Sequence, residues 1–109
     1  PGFVQYDPAY IFFEEVNGEL VLGDVKTSSG IYPEMLYQTA AYQKAREEEY
    51  PEEDYKSNLI VRCGKDGTLE IAESREFEEN MRAFHGALDL YNRQQELKDR
   101  EIQKLLEVK

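Results

Sequence analysis

Asp24 and Lys26 stand two residues apart in Gly23-Asp24-Val25-Lys26-Thr27. Alternate side chains of a strand share a face, so this spacing projects a carboxylate and an ammonium together and turns Val25 into the opposite side. Such a pair at a strand end can hold a divalent metal and polarise or stabilise an attacking water. The tripeptide alone also suits a surface ion pair, and the residues that follow bear on the choice.

Those residues read as a turn and then a helix. Ser28-Ser29-Gly30 breaks the strand, Pro33 suits the first helical turn, Glu34 favours its positive end, and no breaker follows before Tyr50-Pro51. At about 100° per residue, Met35, Gln38, Ala41, Tyr42 and Ala45 fall on one face, with Gln38 in the middle of the apolar stripe. A glutamine so placed needs a partner, either a strand carbonyl or the Asp24 site, and Tyr42 lies one turn beyond it.

Asp-Val-Lys-Thr at a strand end, a short Ser/Gly turn, Ile31-Tyr32-Pro33-Glu34 and then Gln38-Thr39-Ala40-Ala41-Tyr42 resemble the PD-(D/E)XK nuclease superfamily, specifically its RecB-like phage and bacterial exonuclease branch. The resemblance covers Val16 to Arg46. It is looser from Leu59 to Tyr91, where the strand pair around Gly64-Lys65-Asp66-Gly67 and the later Ala83 to Tyr91 look like the strands and closing helix of those enzymes. It implies an α+β, three-layer α/β/α-like domain, with a central mixed sheet of four to five strands flanked by two helices, a restriction-endonuclease-like core. It also implies hydrolysis of DNA phosphodiesters with Mg²⁺ or Mn²⁺. In that reading Asp24 is a metal ligand, Lys26 positions and activates the attacking water, and Gln38 and Tyr42 form the helix motif beside the active site.

One part of the family pattern is missing. Members carry a second metal-binding aspartate on the preceding strand and usually a glutamate on an upstream helix. Asn17-Gly18 predicts a two-residue hairpin between Ile11–Val16 and Glu19–Val25. Counting outward from Val16 opposite Glu19 puts Ile11 opposite Asp24 and Ala9 opposite Lys26, so an apolar residue holds the expected position. Asp7 shares that face by parity but lies about 13 Å from Ile11 along a strand, at roughly 3.3 Å per residue. A bulge or bend near Pro8 brings Asp7 back as the second metal ligand; otherwise the ligand is absent or comes from another segment or chain. The chain begins at Pro1 with no room for the upstream helix, which leads us to expect a fragment of a larger or split enzyme, inactive or nearly so as an isolated segment.

Composition frames these expectations. With 109 residues the chain suits one modest core, divided here into a nuclease-like core over 1–91 and a helical extension or tail over 92–109. No run reaches transmembrane length and no signal-peptide pattern is visible, so no membrane association is expected. The single cysteine, Cys63, excludes an internal disulfide, agrees with a reducing, cytoplasmic setting, and reads as a packing residue of the run from Leu59. Net charge −10 argues against a polyanionic partner unless bases gather locally, with Lys26, Lys44, Arg46, Arg62 and Lys65 as candidates. Phe77, Met81, Phe84, Leu88 and Tyr91 form a helical stripe that packs on the sheet or on a partner. His85 has no second ligand at metal spacing and reads as packed or surface. A second function therefore stands beside DNA hydrolysis: a non-catalytic, acidic adaptor or structural module of the same fold, binding protein through its helices and C-terminal extension.

Overall fold

The structure, a computed structural model, describes residues 3–6 and 9–108, with side chains described for residues 10–100. The elements run β1 (Phe3–Tyr6), β2 (Ala9–Val16), β3 (Glu19–Lys26), α1 (Pro33–Glu49), β4 (Tyr55–Cys63), β5 (Leu69–Ser74) and α2 (Phe77–Val108). The five strands form one mixed sheet in chain order, with only β3 and β4 parallel. A parallel neighbour needs a long crossover, which α1 supplies, whereas the antiparallel pairs β2–β3 and β4–β5 are joined by short turns.

Local chemistry sets the register. Asn17 (φ 52°) and Gly18 (φ 80°) take the left-handed conformations of a tight two-residue turn, so Val16 faces Glu19 and Ile11 faces Asp24. In the β4–β5 turn, Gly67 supplies another positive φ (86°), the Gly67 amide donates to the Gly64 carbonyl, and Thr68 donates from its amide and hydroxyl to Asp66 Oδ1. A shift in register between Leu20 and Val21 pairs Leu20 with Tyr55 and Val21 with Ser57, which leaves Lys56 as the extra residue of a bulge and keeps the faces of β4 in phase.

Both helices lie on one face of the sheet. On that face Ile11, Leu22 and Tyr55 form a buried cluster with Phe13, Leu20 and Tyr42 packed against it. Gln43 of α1 reaches down to the strands, accepting a hydrogen bond from Asn58 Nδ2 at 2.7 Å and donating to the Tyr55 carbonyl at 3.0 Å. Asn58 pairs with Ser74, whose hydroxyl accepts from Asn80 Nδ2 of α2 at 2.9 Å, so α2 begins on the same side and packs along α1. The domain is therefore α+β with a mixed sheet and two helices. The three-layer arrangement is corrected to two layers among the described residues, because α2 turns back onto α1 and no helix crosses the other face.

That other face is tightly built only at its centre. A Cβ placed on Gly23 would lie 2.0 Å from Phe12 Cζ, so the Phe12 ring occupies the space above this glycine. Toward β5 it stays open, with Leu69 and Ile71 exposed. Three further expectations differ from the structure. The buried face of α1 is Thr39, Ala40 and Gln43, while Gln38 and Ala45 are exposed, because the helix packs against both the sheet and α2 and its apolar residues are spread around it. Cys63, at the end of β4, is exposed rather than packed. In the α2 stripe only the first turns are covered: Met81 is buried, Phe77 and Phe84 are half-buried, and Leu88 and Tyr91 are exposed. The extension from residue 92 is the second half of this continuous helix.

Candidate active site

Asp24 lies near the carboxyl end of β3, in the interior of the sheet, with Ile11 opposite it on β2 and Ile60 opposite it on β4. All three are almost fully buried, at 0%, 1% and 0% exposure for Asp24, Ile11 and Ile60. Neither carboxylate oxygen of Asp24 accepts a hydrogen bond in the structure. The nearest cation is Lys26 Nζ, 3.2 Å from Asp24 Oδ2, and the Lys26 side chain is itself only 10% exposed. Burial pushes the Asp24 carboxyl above its ordinary value, against the opposing pull of the Lys26 charge and of the polar groups of Lys26 and Thr39.

The strand and helix bring together three of the residues singled out in the sequence. Lys26 shares the face of Asp24 as strand parity requires, and its ammonium donates to Gln38 Oε1 at 3.2 Å. Gln38 reaches the site from the exposed side of α1 rather than from a buried stripe. Tyr42, one turn on, packs against the Ile11–Leu22–Tyr55 cluster. Asp7, the proposed second metal ligand, lies outside the described residues. The position opposite Asp24 belongs to Ile11, as the hairpin count gave.

Sequence reasoning missed Thr39. It is fully buried over the site, and its hydroxyl donates to the Met35 carbonyl at 2.6 Å. A threonine one residue from the anticipated stripe carries no apolar signature, so periodicity could not find it. Arg62 was recognised only as a scattered base. It pairs in register with Lys26 across β3 and β4, and its Nε donates to the Ser28 carbonyl at 2.8 Å. Arg62 also forms an ion pair with Glu70. By contrast Arg46, another of the scattered bases, is fixed by Glu53 at 2.7 Å and stacks over Phe13 and Tyr50, which makes it part of the fold.

A hard divalent cation is held by carboxylate oxygens. The Asp24 carboxylate, ion-paired with Lys26 through Oδ2 but without a hydrogen bond, suits one such contact, and Gln38 Oε1 is a neutral oxygen nearby. Among the described residues no three His, Cys, Asp or Glu side chains gather around a common point. Among the described residues, no helix is long and apolar enough to cross a membrane. Comparison with family models, with curated proteins and with solved structures gives no match for this chain.

Proposed function

We propose that this domain carries the acid–lysine half of a metal-dependent nuclease site of the PD-(D/E)XK kind, acting on DNA. The observation that carries this reading is the Asp24 carboxylate: buried, without a hydrogen bond, and beside a lysine anchored by a helix glutamine. Buried carboxylates are ordinarily hydrogen-bonded because leaving them unpaired is costly, and such exceptions concentrate at functional sites. Mg²⁺ or Mn²⁺, held by Asp24 and a second acid for which the sequence offers Asp7, would lower the pKa of a bound water and neutralise developing phosphate charge.

Lys26 does the remaining positioning from the protein side. Its ammonium has three donors, of which one is directed to Gln38 Oε1 while Asp24 Oδ2 lies at ion-pair distance, which leaves donor capacity for a water or a phosphoryl oxygen at the strand end. Gln38 restricts the lysine side chain and Thr39 closes the site from above. The fixed cation then stabilises negative charge that develops as the phosphodiester is attacked, without reorganisation at that moment. The test is a plasmid-nicking assay on a protein containing this domain, with Mg²⁺ or Mn²⁺ against EDTA. Cleavage should require metal and should be lost in both Asp24→Asn and Lys26→Ala, assayed at a temperature where circular dichroism shows each variant still folded. Metal-dependent cleavage by purified Asp24→Asn protein contradicts the proposal.

A second reading is favoured by one observation. Ile11 is buried opposite Asp24, where a second acidic ligand would be expected, and Asp24 and Lys26 make an ion pair in an apolar setting. On this reading the domain is a non-catalytic, acidic adaptor that binds protein. Folded protein that shows neither metal binding nor cleavage would favour it.

A further inference from the structure

We propose that the cleft at the carboxyl ends of β3 and β4, beside Lys26, is a binding site for a nucleotide phosphate, separate from the position of the attacked bond. The polymer's identity rests on the nuclease reading above; the site rests on its own geometry. Ligands of sheets with parallel strands commonly bind in the crevice outside the strands' carboxyl ends, and β3–α1–β4 is the one such unit among the described residues. There a cavity of about 460 Å³ is lined by Thr27, Ser28, Ser29, Arg62, Lys65 and Asp66. Small-molecule pockets span about 300–1,000 Å³, so this one takes a phosphate together with its sugar rather than a lone ion.

The lining is suited to an anion in a chain of net charge −10. Thr27, Ser28 and Ser29 of the β3–α1 loop line it; the Ser28 hydroxyl donates to the Gly30 carbonyl at 2.7 Å and the Ser29 hydroxyl is hydrogen-bonded to the Tyr32 hydroxyl at 2.6 Å, so the Thr27 hydroxyl and the two bases are the groups turned to an anion, and Arg62 fixes that loop through the Ser28 carbonyl. The two acids nearby are already engaged: Asp66 accepts both Thr68 donors, and Glu70 pairs with Arg62. Elsewhere in the sheet and α1 the bases are matched, Lys44 with Glu48, Arg46 with Glu53 and Lys56 with Asp54. Lys65 is the exception. Among the described residues of the sheet, its turns and α1, it is the base without a carboxylate at ion-pair distance, and it faces the cavity. Arg62 stands next to Lys26 across the two strands, about 4.8 Å away by strand spacing, and Thr27 follows Lys26 in the chain, so the cavity adjoins the candidate site.

The test is fluorescence anisotropy in EDTA, where no cleavage occurs. The probes are a short 5′-phosphorylated single-stranded DNA, the same strand ending in a 5′-hydroxyl, and inorganic phosphate as competitor. Lys65→Glu and Arg62→Gln should each weaken binding roughly tenfold, the worth of one charge-assisted contact. Lys65→Ala should lower the slope of log affinity against log salt by about 0.7, the value for one phosphate contact on a single strand. Lys98→Glu, with the same charge change on the exposed part of α2, should bind as wild type. Dependence on Lys65 for the phosphorylated strand alone assigns the cavity to a strand terminus, and dependence for both strands assigns it to an internal phosphodiester. Equal affinities for wild type and Lys65→Glu, equal losses in Lys65→Glu and Lys98→Glu, or no binding of any probe would overturn the proposal. Lys65-dependent binding without metal-dependent cleavage would contradict the nuclease reading alone; cleavage unchanged by Lys65→Glu would contradict this site alone.

Discussion

Replacing Asp24 and Lys26 together by apolar residues should stabilise the protein, while replacing Lys26 alone should destabilise it. At 3.2 Å the pair's attraction is about 332/(20 × 3.2), or about 5 kcal/mol at an effective dielectric near 20. Taking two ions out of water costs several kcal/mol each, and here the carboxylate gains no hydrogen bond to offset it. The attraction and the cost therefore come close to cancelling. Valine at position 24 would continue the Ile11–Ile60 row, and methionine at position 26 would keep the lysine's apolar stem. Asp24→Val with Lys26→Met should gain about 1–4 kcal/mol, whereas Lys26→Met alone should lose about 3–5 kcal/mol. Thermal unfolding reads both, since each kcal/mol moves Tm by about 4–8 °C in a domain of roughly this size. The single variant also has a pH signature. Burial already holds Asp24 above its ordinary value, and losing the cation raises it further. A carboxyl raised in the folded state favours folding when protonated, so the Lys26→Met deficit should be largest at neutral pH and close as pH falls toward about 4. A double variant less stable than wild type, or a Lys26→Met deficit that does not change with pH, would refute the reasoning.

Other outcomes follow from the packing. Gly23→Ala should cost about 1–3 kcal/mol by overpacking against the Phe12 ring, with Phe12→Leu restoring much of the loss in chemical denaturation. Gln43→Leu leaves Asn58 Nδ2 and the Tyr55 carbonyl without their glutamine partner and should cost about 1–3 kcal/mol, while Gln43→Leu with Asn58→Leu should cost less than the sum of the two single changes. Hydrogen bonds from Arg46 and Tyr55 hold the Glu53 carboxyl below its ordinary value, so its contribution is present above the usual glutamate range and is lost as pH falls through the folded value. Glu53→Gln should therefore be less stable than wild type at neutral pH, with the difference disappearing in acid, as measured by urea unfolding across that range.

Much of the scaffold was legible because it depends on local rules. Asn17-Gly18 fixed the hairpin and with it the Ile11–Asp24 pairing; Pro33 and Tyr50 bracketed α1; strand parity placed Lys26 beside Asp24. What was not legible depends on tertiary packing. The face of α1 was turned because the helix serves two neighbours and buries two polar residues, Thr39 and Gln43, that a hydrophobic pattern passes over. The helical layering was misjudged because nothing in the α2 stripe says which side of the sheet it will meet. Arg62 and Lys65 could not be separated from ordinary surface bases until the β3–β4 register brought one beside Lys26 and the β4–β5 turn set the other at the cavity.

The central claim is that Asp24 is a metal ligand held beside Lys26, and Mn²⁺ titration followed by amide NMR tests it most directly. Paramagnetic broadening should centre on Asp24, with Ile60 on the neighbouring strand and Thr39 above it among the first signals lost. Asp24→Asn should abolish that pattern while leaving the spectrum folded. Broadening confined to exposed acidic segments such as Glu47–Glu49, and the same in wild type and Asp24→Asn, would contradict the account.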